Sequence, residues 1–128
     1  MDVLKLAKVF LDAVERGDTD TARSCYADDA VIWHNFDNRE KTVDENMASL
    51  EKWKRLVNDR KYELQRLERL PNGYFQQHIL SGVTTEGTEI LVHACVICTV
   101  SDDKITKLEE YLDPASASVA VSYTHLRA

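Results

Sequence analysis

The chain has 128 residues, 44% of them hydrophobic and 30% charged, with a net charge of −6. That size and balance describe one globular domain that can bury its own core. The acidic excess argues against nucleic-acid and anionic-membrane partners, because both require a clustered basic face. The densest basic stretch, Lys52 to Lys61, is interrupted by Asp59 and reads as a solvated helix face.

Three cysteines argue against a disulfide framework and for a reducing compartment. Cys95 and Cys98 spell C-x-x-C inside an apolar strand, where positions three apart point to opposite faces, so a redox motif is rejected. No apolar run approaches the roughly 20 residues of a membrane span. Charges at Asp2, Lys5 and Lys8 break up any leader-like N-terminus. The expectation is a cytoplasmic protein.

Asp2 caps a first helix whose apolar positions Val3, Leu6, Ala7, Phe10, Ala13 and Val14 follow the helical period, and Gly17 ends it. Asp18 or Thr19 caps a short second helix reaching about Tyr26. Residues 30–36 read as a strand. Thr42 and Glu45 form a capping box for a third helix that buries Val43, Met47, Leu50 and Val57, with Trp53 or the stem of Lys54. Strands follow at about 61–69, 73–83, 88–100 and 104–113. Their turns are marked by Pro71-Asn72-Gly73, Glu86-Gly87 and Ser101-Asp102-Asp103.

Three helices followed by an antiparallel meander predict an α+β cone over residues 1–114, with the sheet curled around the helices. Its outer face is then a natural surface for a homodimer, with Trp33 or Asn35, His93, Cys95 and Ile97 as candidate contacts. Residues 115–128 are Ser- and Ala-rich with no periodic face. Their end, Ser122 to Ala128, resembles a sequencing-adapter read-through, so a non-native or disordered tail is expected.

Two segments carry candidate chemistry. Val31-Ile32-Trp33-His34-Asn35-Phe36 places an imidazole and an amide at the end of an apolar run, and Leu108-Glu109-Glu110-Tyr111-Leu112 places a carboxylate between leucines. Strand parity groups Ile32, His34 and Phe36 on one face, and Leu108, Glu110 and Leu112 on another. An imidazole beside a half-desolvated carboxylate is the raw material of general acid–base catalysis. If the two share a dry cavity, burial is expected to raise the Glu110 pKa and the pairing to run through water.

His78 shares a face with Gln76 and Leu80. The opposite face, with Phe75 and Ile79, is greasier, so His78 could lie on the outer side. A metal would require His34, His78 and a carboxylate to converge. No H-x-H or H-x-x-x-H pair supplies a nucleus for one, so neither a metal nor a cofactor is expected.

Gly17-Asp18, Tyr26-Ala27-Asp28-Asp29-Ala30 and Lys104-Ile105-Thr106…Glu110-Tyr111-Leu112-Asp113 resemble the SnoaL-like group of the nuclear transport factor 2 superfamily. The resemblance spans residues 3 to 114 and implies the cone fold. That fold hosts isomerases, dehydratases, epoxide hydrolases, polyketide cyclases and non-catalytic binders. Ketosteroid isomerases, limonene-epoxide hydrolases and scytalone dehydratase place a working residue where this chain has His34. The isomerase's oxyanion tyrosine corresponds to Phe10, and its protonated aspartate falls near Cys95 or Val96, so that oxyanion hole is absent. The epoxide hydrolases' final acid aligns with Glu110, but their Arg-x-Asp strand aligns with residues 76–80, which hold neither.

The expected function is a cofactor-free lyase, isomerase or cyclase acting on a small hydrophobic carbonyl or hydroxyl compound. His34, Glu110 and His78 are the candidate catalytic residues. Trp33, Asn35, Phe10 and Gln76 are expected to contact substrate, as are Leu80, Val92 and Leu108. The alternatives are a non-catalytic small-molecule binder or interaction module, and an epoxide hydrolase with an altered residue set.

Overall fold

The computed structural model describes residues 2–113, so the expected tail lies outside the described residues. Helices α1 (Val3–Arg16), α2 (Thr19–Ser24) and α3 (Val43–Leu56) accompany six strands: β1 (Tyr26–His34), β2 (Arg39–Lys41), β3 (Val57–Leu70), β4 (Gly73–Thr84), β5 (Glu89–Ser101) and β6 (Lys104–Leu112). They form one open, curved sheet in the order β2-β1-β6-β5-β4-β3, wrapped against the helices as an α+β cone.

Local chemistry sets most boundaries. Asp2 accepts from the Leu4 amide at the start of α1, and Gly17, at φ 75°, closes it with bonds to the Ala13 and Val14 carbonyls. Asp18 caps α2 through the Thr21 amide. Both halves of the Thr42–Glu45 capping box are formed. Asp102 and Asp103 carry the consecutive positive φ values, 52° and 61°, of a tight hairpin turn between β5 and β6.

Several elements differ from expectation, and the first strand ends at His34 rather than Phe36. The second helix stops at Ser24, and Tyr26 already begins β1. Val57 belongs to β3 rather than to α3: Arg60 donates to the Lys54 and Val57 carbonyls at 3.1 and 2.8 Å, and this clamp turns the chain from helix to strand without a loop. Val57 is fully buried there with Ile90 and Val92. The three-residue β2, all charged, has no strand-like pattern and was not expected.

The sheet is also mixed rather than wholly antiparallel. The β3–β6 meander is antiparallel, but β1 pairs with β6 in parallel, Ile32 opposite Leu108 and His34 opposite Glu110. One main core, including Leu6, Ala7, Ala13, Ile32, Met47 and Ile105, fills the space between helices and sheet. Cys98 is fully buried in it while Cys95 lies on the other face, as strand parity requires.

Candidate functional site

The concave face of the sheet and the helices α1 and α3 enclose a cavity of about 500 Å³, in the range of small-molecule sites. Aromatic and aliphatic side chains dominate its wall, with Phe10 and Val14 from α1, Trp53 from α3, and Tyr62 and Leu80 from the meander.

Its polar centre is built by register. Because β1 and β6 run parallel with His34 opposite Glu110, both side chains project to the same face, and His34 Nε2 lies 2.9 Å from Glu110 Oε1. His78 reaches the same carboxylate from β4, across β5, with Nε2 3.7 Å from Oε2. The strand between them presents Ala94 opposite His78 and Val96 opposite Glu110, both too short to separate the two groups. Gln76 Nε2 completes the row, 2.9 Å from His78 Nδ1. Side-chain exposure is 14% for His34, 19% for Glu110 and 3% for His78.

His78 faces inward, the position its candidate catalytic role requires, although the Phe75–Ile79 side of β4 is the greasier. Tyr74, Gln76 and His78 are the buried side. Phe75 lies on the other, where the Arg66 guanidinium covers its ring at 5.3 Å.

The electrostatics differ as well. Burial is the largest influence on Glu110 and acts to raise its pKa. The hydrogen bond from His34 and the charges of His34 and His78 together outweigh it and hold the carboxyl below its ordinary value. The contact with His34 is direct, with no bridge between the two. For His78, burial pushes the imidazole pKa down and Glu110 only partly opposes this, so the ring is neutral near pH 7. Tyr62 and Tyr26 shift the other way, raised by burial first, and stay as phenols.

These states fix the tautomers. An ionised carboxylate only accepts, so His34 donates from Nε2, and whenever the ring carries a single proton its lone pair is on Nδ1. Nδ1 is buried without a hydrogen-bond partner among the described residues. With the Gln76 amide donating to Nδ1 of His78, the proton of that ring is on Nε2, the tautomer that the carboxylate ahead of it selects. At 3.7 Å, this N–H also lacks a hydrogen-bond partner among the described residues. One unspent acceptor and one unspent donor therefore flank a single carboxylate.

Of the residues expected to contact substrate, Phe10, Gln76, Leu80, Val92 and Leu108 line the cavity. Trp33 and Asn35 do not. Trp33 lies on the other face of β1, edge-on to Tyr111 at 5.1 Å, and donates to Asn38. Asn35 is a staple: its amide donates to the Leu112 carbonyl and accepts from the Leu112 amide. Lining residues that sequence reading missed include Tyr62, Arg39 and Lys41. Alternation along β3 could have suggested Tyr62, but nothing in the charged β2 segment signals a cavity wall.

His34, His78 and a carboxylate do converge. His34 is hydrogen-bonded to the carboxylate and His78 stands off at 3.7 Å, however, and no grouping of His, Cys, Asp and Glu among the described residues is arranged to hold a metal. No helix among the described residues is long and apolar enough to cross a membrane.

Solved structures similar to this chain share its fold. PrhC from Penicillium brasilianum NBRC 6234 is 15% identical, with 98% of this chain and 89% of that one covered at a TM-score of 0.83. IdmH from Streptomyces antibioticus is 14% identical, covering 95% and 99% at 0.82. An LEH-like epoxide hydrolase from M. tuberculosis is 18% identical, covering 98% and 90% at 0.79. The search of curated proteins found no match. Residues 7–108 match the SnoaL-like domain, and with the cone fold around them the chain belongs to the SnoaL-like domain family.

Proposed function

We propose that the protein is a cofactor-free general acid–base enzyme, a lyase, isomerase or cyclase, acting on a small hydrophobic carbonyl or hydroxyl compound. The observation that carries this reading is the His34–Glu110–His78 group set in the wall of an otherwise apolar cavity. Nδ1 of His34 takes a proton from a C–H or O–H of the substrate. Glu110 holds the ring in the required tautomer and stabilises the imidazolium that forms. The Nε2–H of His78, kept neutral by burial and oriented by Gln76, donates to the substrate oxygen on which negative charge develops. One carboxylate between two imidazoles, one offering a lone pair and the other an N–H, places a base and a donor in the same pocket.

Exchange of α-protons of small cyclic ketones, followed by NMR in deuterated water, tests this reading. Wild-type protein is expected to catalyse exchange for at least one ketone of such a panel, with the rate reduced about 10²–10⁴-fold in His34→Ala while calorimetric binding persists. Binding without exchange in every variant would instead establish the rival reading, a non-catalytic binder favoured by the apolar lining. Hydrolysis of small epoxides by the wild type would point to the other alternative, in which His34 activates a water with an altered residue set.

The outer face is the proposed seat of a second copy. Tyr111 and Leu91 are 43% and 57% exposed, and Trp33 packs on Tyr111. Cys95 and Ile97 are half-buried and His93 exposed on the adjacent strand. Large apolar groups on one face of a sheet suit an isologous pair. Light scattering that gave a clean monomer at micromolar concentration would remove the dimer.

A further inference from the structure

The cavity has a cationic wall that the acid–base chemistry does not use. The antiparallel pairing of β2 with β1 sets Arg39 opposite His34 and Lys41 opposite Ile32, so both cations stand on the face that carries the catalytic imidazole. Both line the cavity, joined by Lys52 from α3. In a chain of net charge −6, the cavity lining outside the His34–Glu110–His78 group thus holds three cations against one acid, Glu45.

Lys41 is the unusual member. Its side chain is only 9% exposed, and a buried ammonium is costly unless its donors are used. Asp37 Oδ2 pairs with it at 3.3 Å and, against the effect of burial, is held low in pKa in part by this cation, but one carboxylate oxygen meets only one of the three donors of an ammonium. The ammonium otherwise sits 5.5 Å over the Phe36 ring. The exposed Arg39 is held only loosely, 3.8 Å from Glu45.

We propose that the substrate is an acid: a hydrophobic molecule bearing a carboxylate or comparable anion, which Lys41 binds and Arg39 screens, while its apolar body fills the cavity. This rests on the small-molecule reading above and narrows its substrate class. The anion takes up the donors that Asp37 leaves unused, and Lys41 becomes the residue that separates acids from neutral molecules of the same shape.

The test is calorimetric titration with 2-naphthoate and its neutral counterpart 2-acetylnaphthalene at low salt and pH 8. There lysine and arginine remain charged and a free imidazole does not. The naphthoate is expected to bind about tenfold or more tightly than the ketone. In Lys41→Met that preference is expected to collapse toward equality, with ketone binding retained. Arg39→Gln, a change at an exposed side chain, is expected to reduce the preference in part and keeps the test decisive should Lys41→Met not fold. Equal binding of the two probes by the wild type overturns the inference and leaves the cavity reading intact. So does a preference that survives both substitutions. Failure of both probes to bind overturns the cavity reading itself, and this inference with it.

Discussion

His34 and Glu110 are register partners on the parallel strands β1 and β6, and their side chains meet at 2.9 Å. The parallel pairing matters because it carries the two residues, 76 positions apart in sequence, to one face of the cone. The backbone continues the pairing just beyond, where the Asn35 amide donates to the Glu110 carbonyl at 3.1 Å. The carboxylate is thus held by main-chain geometry before any side-chain contact forms.

Glu110→Gln keeps the shape and removes the charge that selects the His34 tautomer. An amide can donate as well as accept, so the imidazole is freed to place its proton on Nδ1, the nitrogen needed as base. Ketone exchange is expected to fall about 10²–10⁴-fold. Nitrogen NMR of the His34 ring is the direct check, and an unchanged tautomer with lost activity would assign Glu110 another role.

Ala94→Val places added methyl groups on β5 between His78 and Glu110. Valine is well tolerated in a strand, so the change in stability is expected to stay within about 1.5 kcal/mol. Exchange should slow by about tenfold, as expected when a donor is moved out of line. A folded variant with the wild-type rate would mean that the approach of His78 to Glu110 has no catalytic consequence.

Acid should destabilise the fold in two stages. His78 has a lowered pKa in the folded state, so below about 6.5 the unfolded chain binds the proton more readily and stability falls with pH. The lowered Glu110 pKa adds stability above its unfolded value that is lost as pH falls through its folded value. Melting temperatures between pH 8 and 2 are expected to show both, with the upper stage absent in His78→Gln. An upper stage that persists in that variant would belong to another group.

Asn35→Ala removes both hydrogen bonds to the Leu112 backbone. The expected cost is about 1–3 kcal/mol in denaturant unfolding, with affinity for 2-acetylnaphthalene unchanged, because Asn35 does not line the cavity. A weakened affinity at unchanged stability would make it a substrate contact after all.

Local signals in the sequence determined the helices and the hairpins. Caps at Asp2, Asp18 and Thr42, the stop at Gly17 and the turn at Asp102-Asp103 act within a few residues, so they are legible without knowledge of the fold. Strand parity put His34 with Ile32, and Glu110 between leucines, for the same reason. Tertiary structure alone decided what those faces meet. Whether Gln76 and His78 or Phe75 and Ile79 turn inward is not a matter of greasiness along β4, because Arg66 from the neighbouring strand can cover Phe75 outside. The parallel β1–β6 pair, the three-residue β2 and the burial of Lys41 have no local signature. Each depends on contacts between segments far apart in sequence, and those contacts turn scattered polar residues into one site.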